Sequence, residues 1–508
     1  MSSNLASDPF LSAWVAANAG AGKTYTLANR VARLLLADAR PEKILCLTFT
    51  KAAAAEMQHR LFRQLGEWAM LPDVKLAGNI REIGAEPDDL PKARRLFAQA
   101  LETPGGLKVL TLHAFCQIVL ARFPLEAGVS PGFEVLDDAS ARALIGEARQ
   151  IVLERAGAGE TPLHDAVARL ATEAGEARLN DILHAALGND RRKMDRFFDS
   201  LNGAPFADAV WRAHGAEPGA YPAEDFCRAL REEIEQLRAV RAWLHQGTKQ
   251  DTDSAGRLAK ILATDFTADS FALLREWLMT KDGAPRKKLA AKALADARPD
   301  LLAYLSDLQN RFCQVEDRQR AARAAWLAQA ALTLIDAMRR EYAAAKTRRS
   351  VLDYDDLIVK TLALLERGNA AQWVLYKLDN GIDHILIDEA QDTSPEQWAI
   401  VRKLTEEFFA GTGRERTLAR TIFAVGDEKQ SIFSFQGADP TQFDINRHYF
   451  EQLATQAEQP FVDQPLVTSR RSAPEILQFV DHVFFDAAAR AGLTSRDQAI
   501  THLAHPPE

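Results

Sequence analysis

The segment ANAGAGKT combines small residues with a lysine and a threonine at a spacing suited to holding phosphate. Such a loop turns its backbone amides toward a phosphate, while the Lys23 ammonium supplies charge and the Thr24 hydroxyl supplies a ligand for Mg²⁺. Gly20 is expected to give the backbone its freedom, and Ala17 replaces the first glycine of the usual pattern without cost if its φ stays negative. The alternative is a glycine-rich turn without a ligand. The candidate nucleotide-binding residues are Ala17, Asn18, Ala19, Gly20, Ala21, Gly22, Lys23 and Thr24.

An acidic pair, Asp388 and Glu389, directly follows the apolar run HILI. A carboxylate at a strand end beside a phosphate loop can hold Mg²⁺, and its acidic neighbour can orient or deprotonate an attacking water. A surface acidic pair after a core strand would look the same, but the phosphate-binding segment in the same chain disfavours that interpretation. The two segments together predict a site for ATP and Mg²⁺, with Thr24 and Asp388 as the metal ligands.

Five short apolar segments that end in polar or glycine-rich turns are predicted to be buried parallel strands. They are AWVAANAG, KILCLTFT, LKVLTLHAF, DHILIDEAQD and RTIFAVGDEKQ. Helical periodicity follows several of them, as in TYTLANRVARLLLADA. This alternation predicts an α/β fold with a parallel sheet.

The character of the sequence changes between about residues 136 and 349. This stretch is rich in Ala, Arg, Glu and Leu, and RQRAARAAWLAQAALTLIDAMRREYAAAK is its clearest long helix. We predict a helical insertion between the third and fourth strands. Its basic run APRKKLAAKALADARP, which contains Arg286, is compatible with a solvated face or with a DNA contact.

Composition excludes some classes of protein. The chain has 508 residues, 47% of them hydrophobic, and a formal net charge of −8, so nucleic-acid binding would require a local basic groove. The four cysteines form no C-x-x-C pair, which argues against a zinc knuckle or a disulfide framework. Without an apolar run of membrane-spanning length or a signal-peptide pattern, the chain is predicted to be cytoplasmic, with no membrane association.

Five motifs occur in the order found in superfamily 1 helicases: ANAGAGKT, TFTKAAAAEM, TLHAFC, LIDEAQDTS and VGDEKQSIFSFQGAD. The chain resembles the UvrD, PcrA and RecB members of that family, in which the first motif begins with alanine. The segments SAWVAANAGAGKT, LDYDDLI and SFQGADP most resemble the AddA type, the helicase–nuclease subunit of bacterial double-strand-break repair. The resemblance implies a RecA-like P-loop NTPase domain in residues 1–135 and 350–455, an insertion domain in 136–349, and the start of a second RecA-like domain in 456–508.

The resemblance also implies roles for individual residues. Gln430 would sense the γ-phosphate, and Arg471 would reach it from the second motor domain, so the catalytic set is Lys23, Asp388, Glu389, Gln430 and Arg471. The implied DNA-binding residues are Phe49, Thr50, Lys51, Thr111, His113, Phe433, Phe435 and Gln436.

Each of these residues could instead have a purely structural role. Phe49 could simply end a buried strand, His113 could be structural, and Arg471 could be a solvated arginine. Phe433 and Phe435 could be core residues, although their alternation with polar residues favours an exposed aromatic edge. Two departures weaken the resemblance. Gln436 and Arg470 stand where many relatives have an arginine and an adenine-stacking aromatic, respectively.

The predicted function is an ATP-dependent DNA helicase that moves 3′ to 5′ on single-stranded DNA. Its expected partners are single- and double-stranded DNA and an AddB-like subunit. Because the sequence ends at THLAHPPE, soon after the fourth motif, we expect it to be the N-terminal part of a longer protein without the nuclease. The alternatives are a module that binds ATP and single-stranded DNA without turnover, and a P-loop ATPase unrelated to nucleic acid.

Overall fold

The computed structural model describes residues 5–103, 106–188, 191–379, 381–409, 419–434, 437–494 and 501–504. Phe435 and Gln436, two of the predicted DNA-binding residues, lie outside the described residues. The chain divides into two compact units. One comprises the residues up to Ala141 together with those from Lys346 onward, and the other comprises Arg142–Ala345.

The first unit is built on a six-stranded parallel sheet. The described strands are β1 (Ser12–Ala16), β2 (Ile44–Thr48), β3 (Lys108–Thr111), β4 (Glu134–Val135), β5 (Val351–Leu352), β6 (His384–Ile387), β7 (Thr421–Gly426), β8 (Phe461–Asp463), β9 (Thr468–Ser469) and β10 (Leu503–Ala504). The sheet order is β3-β2-β6-β7-β1-β8, and every neighbouring pair is parallel. The predicted α/β class and all five predicted strands are therefore confirmed.

The edge strand β8 was not predicted from the sequence. Its three residues are half-buried or exposed, so they lack the apolar run that identifies the other strands. Because β8 pairs with β1, the sequence-based boundary at residue 455 falls before a strand of the first sheet. Where a second motor domain begins remains a prediction.

Helices cover both faces of the sheet and make up the second unit. The described α-helices are α1 (Lys23–Leu36), α2 (Lys51–Met70), α3 (Asp73–Glu82), α4 (Leu90–Glu102), α5 (Leu112–Arg122), α6 (Pro124–Ala127), α7 (Asp138–Gly157), α8 (Thr161–Leu187), α9 (Arg191–Ser200), α10 (Phe206–Ala213), α11 (Pro222–Arg231), α12 (Ile234–Leu244), α13 (Lys249–Leu262), α14 (Ala268–Leu278), α15 (Lys292–Ala297), α16 (Pro299–Arg349), α17 (Tyr354–Glu366), α18 (Gly368–Asp379), α19 (Pro395–Thr405), α20 (Thr441–Gln456), α21 (Pro474–Phe485) and α22 (Ala487–Arg490). Short 3₁₀ turns span Pro41–Lys43, Ala390–Asp392, Glu406–Phe408 and Glu428–Gln430.

Alternating side chains of the strands pack into two different layers of helices. In β1, Trp14 is buried in the cluster that includes Trp398 of α19 and Phe450 of α20, and its ring stacks on Trp398 with the centroids 5.6 Å apart. Its neighbour Val15 belongs to the opposite cluster, which holds α1, α2 and α4 against the sheet. Burial on both faces explains why β1, β2, β6 and β7 are largely continuous apolar runs rather than alternating ones.

The segments of the first unit that flank the helical stretch in sequence lie next to each other. The two-residue strands β4 and β5, which flank it in sequence, pair in parallel. The last helix of the stretch, α16, delivers Lys346 into a buried cluster in which its ammonium contacts the carboxylates of Asp353 and Asp356. Those two carboxylates also cap the start of α17, so the return of the chain is fixed by charge as well as by pairing.

The second unit is a helical bundle whose spine is α16. The predicted long helix is confirmed within it and extends to 51 residues. The helix contributes Phe312 to one apolar cluster and Leu334 to another. Arg286 of the basic run donates hydrogen bonds to the carbonyls of Trp277 and Glu276, whereas Lys287 is exposed. In the part of the chain that the structure describes, no helix has the length and apolar character needed to cross a membrane.

Candidate nucleotide and DNA site

The described candidate residues of the first unit follow the carboxyl ends of parallel strands. The phosphate-binding segment follows β1, Phe49 follows β2, and His113 follows β3. The acidic pair follows β6, and Gln430 and Phe433 follow β7. Because these strands are parallel, their ends meet at one edge of the sheet, which is where open α/β folds bind ligands.

The phosphate-binding segment has the backbone of an anion cradle. Gly20 and Gly22 adopt φ of 74° and 86°, and Gly22 is the N-cap residue of α1, so the amino terminus of that helix faces the loop. Ala17 keeps a negative φ and is buried against the sheet, where its amide donates to the carbonyl of Gly426 at 2.9 Å. Alanine is therefore accommodated at that position, as the sequence predicted. The side-chain amide of Asn18 donates to the carbonyl of Thr501.

Lys23 lies at the centre of the site. Its ammonium forms an ion pair with Glu389 Oε2 at 2.7 Å and lies 3.5 Å from the amide oxygen of Gln430. These side chains follow β1, β6 and β7, which lie apart in the sequence. The structure thus brings together the predicted phosphate-binding, water-activating and γ-phosphate-sensing residues.

Asp388 is a buried carboxyl group suited to holding a cation. Burial raises its pKa to about 6, and the neighbouring carboxylate of Glu389 contributes to the rise while Lys23 opposes it. A divalent cation would favour the ionised form of such a carboxyl, and the hydroxyl of Thr24 supplies the kind of oxygen ligand that Mg²⁺ prefers. The residues present therefore fit the predicted Mg²⁺ site.

Glu389 has an unusual backbone. Its φ of 49° and ψ of 47° lie in the left-handed region, which is sparsely populated by residues other than glycine. Such conformations cost of order 1–3 kcal/mol and cluster at functional sites. Here the conformation starts the 3₁₀ turn Ala390–Asp392 and directs the carboxylate toward Lys23.

The backbone of Arg471 approaches the phosphate-binding segment at Gly20. A Cβ on Gly20 would lie 2.6 Å from the Cβ of Arg471, so glycine is needed for this close approach. The amide of the preceding residue, Arg470, donates to the carbonyl of Gly20 at 2.9 Å. The Arg470 guanidinium lies 6.0 Å from the centre of the Tyr25 ring, next to Thr24. Tyr25 was not predicted as a site residue, because a tyrosine on the first helical turn carries no recognisable pattern.

An aromatic pair lies at the side of the site that the sequence predicts to bind DNA, called the DNA side below. The rings of Phe49 and Phe433 lie 4.4 Å apart between centroids with an interplanar angle of 39°, and both side chains are half-buried. The residues next to Phe433, Ile432 and Ser434, are exposed. A small cavity of about 20 Å³ is lined by Phe49, His113 and Asp388 among others, so Phe49 lies close to the predicted metal ligand.

The polar candidates of the DNA side differ in exposure. Thr50 and Lys51 are exposed at the start of α2, where the Thr50 hydroxyl accepts a hydrogen bond from the Ala53 amide. Thr111 is buried, and its hydroxyl likewise caps α5. Both threonines thus have a local structural role, and their DNA contacts remain predictions.

One aromatic neighbour of the predicted DNA-binding residues was not predicted from the sequence. Tyr354, the first residue of α17, meets His113 edge-to-face with 5.6 Å between ring centroids, and 39% of its surface is exposed. The two residues lie on opposite sides of the long helical insertion in the sequence. The segment LDYDDLI contains Tyr354, but its local pattern does not indicate a contact with a residue so distant in sequence.

Comparison with known proteins agrees with this geometry. A model of the UvrD/REP helicase N-terminal domain matches residues 6–451. The chain belongs to the UvrD/REP helicase family. Its parallel sheet and phosphate loop are those expected of the RecA-like P-loop fold.

Curated relatives place the chain beside one type within this family, the AddA type of ATP-dependent helicase/nuclease. The chain is 27% identical over 477 residues to the protein of this type from Lactiplantibacillus plantarum, covering 86% of this chain and 35% of the relative. It is 24% identical over 507 residues to the one from Latilactobacillus sakei, covering 92% and 53%. For the Pelotomaculum thermopropionicum protein, the identity is 27% over 463 residues, covering 84% and 34%. The chain therefore spans about a third to a half of the length of these relatives.

Proposed function

We propose that this chain is the ATP-hydrolysing motor part of a DNA helicase that moves 3′ to 5′ on single-stranded DNA. In this proposal it belongs to a helicase–nuclease complex of double-strand-break repair, with an AddB-like partner subunit. The observation that carries the proposal is the convergence of Lys23, Glu389 and Gln430, next to the aromatic pair Phe49 and Phe433. Family membership and the similarity to ATP-dependent helicase/nuclease proteins support it.

In this proposal, the phosphates of ATP compete with the carboxylate of Glu389 for the ammonium of Lys23. The ammonium that pairs with Glu389 is the group that reaches the β- and γ-phosphates, so a bound triphosphate draws it away from the carboxylate. Glu389 Oε2 then keeps its hydrogen bond from the side-chain amide of Gln391, at 2.8 Å. The carboxylate of Glu389 can orient the attacking water and accept its proton. Mg²⁺ held by Thr24 and Asp388 would neutralise charge on the phosphates.

The remaining phosphate contacts come from Gln430 and Arg471. The Gln430 amide is held by Asp427 Oδ2 at 2.7 Å, which fixes its oxygen near Lys23 and hence near the γ-phosphate. The backbone of Arg471 packs on Gly20, so its guanidinium is within reach of the loop. We propose that Tyr25 and Arg470 hold the adenine between them. Two stacking contacts need a separation of about 7 Å, slightly more than the observed 6.0 Å, so a small side-chain movement admits the base.

DNA contact in this proposal is made mainly by stacking. Phe49 and Phe433 offer faces to successive bases, and His113 with Tyr354 extends this surface. Stacking tolerates any base and contributes about 1–3 kcal/mol per base, which suits a motor without sequence preference. Lys51, exposed beside Phe49, would contact the phosphate backbone.

The test is ATP hydrolysis by the 508-residue chain with and without single-stranded DNA, with Lys23→Ala as the control. Stimulation by DNA that is abolished in Lys23→Ala supports the motor. Background hydrolysis, with ATP and DNA still binding in separate titrations, supports the binding module. Absence of DNA binding would refute both and leave an ATPase unrelated to nucleic acid. Polarity is tested by single-molecule or stopped-flow translocation on strands labelled at the 3′ or the 5′ end.

A further inference from the structure

Gln391 occupies a position between the two halves of the site. Its side chain is almost completely buried, with 1% of its surface exposed, and both the nitrogen and the oxygen of its amide have partners. The amide nitrogen donates to Glu389 Oε2 at 2.8 Å and to Asp392 Oδ2 at 3.2 Å, and the amide oxygen accepts from the backbone amide of Asp427 at 2.9 Å.

These contacts define the orientation of the amide. Two carboxylates surround the nitrogen and one N–H group faces the oxygen, so the reversed amide would place an oxygen against two carboxylates. The neighbouring Gly426 is shaped around the same side chain. A Cβ there would lie 2.6 Å from Gln391 Oε1 and 3.2 Å from its backbone nitrogen. The close approach of Gln391 to the end of β7 thus depends on glycine.

The partners of Gln391 belong to different ligand sites. Glu389 shares its Oε2 between Gln391 and Lys23, so the position of its carboxylate depends on whether phosphate takes Lys23. Asp427 begins the segment that carries Gln430 and then Phe433, and its carboxylate binds Lys429 and Gln430. That segment ends at the ring contact with Phe49.

We propose that Gln391 is a positioning residue that couples the phosphate site to the aromatic pair. It joins Glu389 to the amide of Asp427 through one side chain, so a displacement of the carboxylate moves the segment that positions Phe433. This connection is separate from Gln430, which touches Lys23 directly. The inference rests on the proposed function, because it requires that ATP binds at Lys23 and DNA at Phe433.

The coupling is measurable without turnover. The affinity of the full chain for a non-hydrolysable ATP analogue with Mg²⁺ is determined with and without a saturating oligothymidylate of about 16 nucleotides. The ratio of the two affinities is the coupling factor, which by linkage equals the effect of nucleotide on DNA affinity. We expect a factor of at least about five in the wild-type chain, the low end of the range usual for coupled sites.

Two variants interrupt the connection. Gln391→Met keeps the volume and loses all the hydrogen bonds. Gln391→Glu keeps an acceptor for the Asp427 amide, loses the donor to Glu389 and sets a further carboxylate oxygen beside Glu389 and Asp392. In both, the coupling factor should fall to within about twofold of one, while Lys23 and the aromatic pair still bind each ligand alone. The matched control is Gln309→Met, which removes a buried glutamine of α16 whose amide donates to the carbonyls of Leu278 and Arg286 in the second unit. It should leave the coupling factor unchanged.

The outcomes are distinguishable. A wild-type chain that binds both ligands without coupling overturns the inference, as does coupling that survives in either folded Gln391 variant or is lost equally in Gln309→Met. If Gln391→Met unfolds, Gln391→Glu decides alone, with thermal unfolding as the check on folding. A wild-type chain that binds neither ligand refutes the proposed function instead.

Discussion

Replacement of Phe433 by alanine tests whether the aromatic pair binds DNA or only packs. Removing the ring removes one stacking face, and each stacked base contributes about 1–3 kcal/mol, so the dissociation constant for single-stranded DNA should rise about 5- to 150-fold. Phe49→Ala should have an effect of similar size. Because the two rings lie 4.4 Å apart, the double variant should lose less than the sum of the single losses.

The assay is fluorescence anisotropy of a labelled oligothymidylate at several salt concentrations. A phenylalanine carries no charge, so Phe433→Ala should weaken binding without changing the salt dependence. Lys51→Ala should instead lower the slope of log affinity against log salt by about 0.7, the value for one phosphate contact on a single strand. The two variants therefore separate stacking from charge neutralisation.

The control for Phe433→Ala is Trp373→Ala. Trp373 is 49% exposed on α18, which leads to the amino-terminal end of β6, opposite the edge that carries Phe433. Its loss should leave DNA affinity unchanged. Equal losses in both variants, or an effect of Phe433→Ala below about twofold in a folded protein, would mean that Phe49 and Phe433 are only a packing pair.

Three further predictions concern the nucleotide side. Gly20→Ala should weaken ATP binding more than about tenfold, because its φ of 74° and the 2.6 Å approach to Arg471 both exclude a side chain. Isothermal titration calorimetry measures the ATP affinity, and an unchanged affinity would contradict this prediction. Tyr25→Ala and Arg470→Ala should each reduce the preference for ATP over inorganic triphosphate in competition assays, and an unchanged preference would remove them from the adenine site. Because the pKa of Asp388 is raised to about 6, folding favours its protonated form, so the unfolding free energy should fall by up to roughly 3 kcal/mol as pH rises from about 4 to 6. Asp388→Asn should remove this dependence in denaturant titrations, and an identical pH profile in the variant would show that Asp388 is not its source.

The sequence predicted the sheet because four of the five strands are buried on both faces and so appear as largely apolar runs, while the fifth, the edge strand β3, is partly buried within the mostly apolar segment LKVLTLHAF. It did not predict β8, whose residues are partly exposed. It also placed the phosphate loop and the acidic pair, since both are short local patterns. The contact of Tyr354 with His113 could not be predicted in this way, because it depends on the chain returning to the same edge after a long insertion.

Side-chain geometry was the other part that sequence could not supply. Gln391 is an ordinary polar residue in LIDEAQDTS, and only the observed contacts with Glu389 and Asp427 distinguish it. In the same way, nothing in the sequence indicates that Glu389 adopts a positive φ. Both features depend on where β6 and β7 end relative to each other, and that registration is set by the pairing of the whole sheet.

The contacts of the Glu389 carboxylate can offset the strain in its backbone. A left-handed non-glycine residue is unfavourable by of order 1–3 kcal/mol, while a charge-assisted hydrogen bond contributes about 1.5–3 kcal/mol. The contacts with Lys23 and Gln391 are therefore of the size needed to hold the residue in that conformation. If phosphate draws Lys23 away as proposed, the carboxylate of Glu389 keeps its contact with Gln391 but loses its ion pair. Under the proposed function, Glu389 would therefore be less constrained with triphosphate bound, at the step for which its carboxylate is proposed to act.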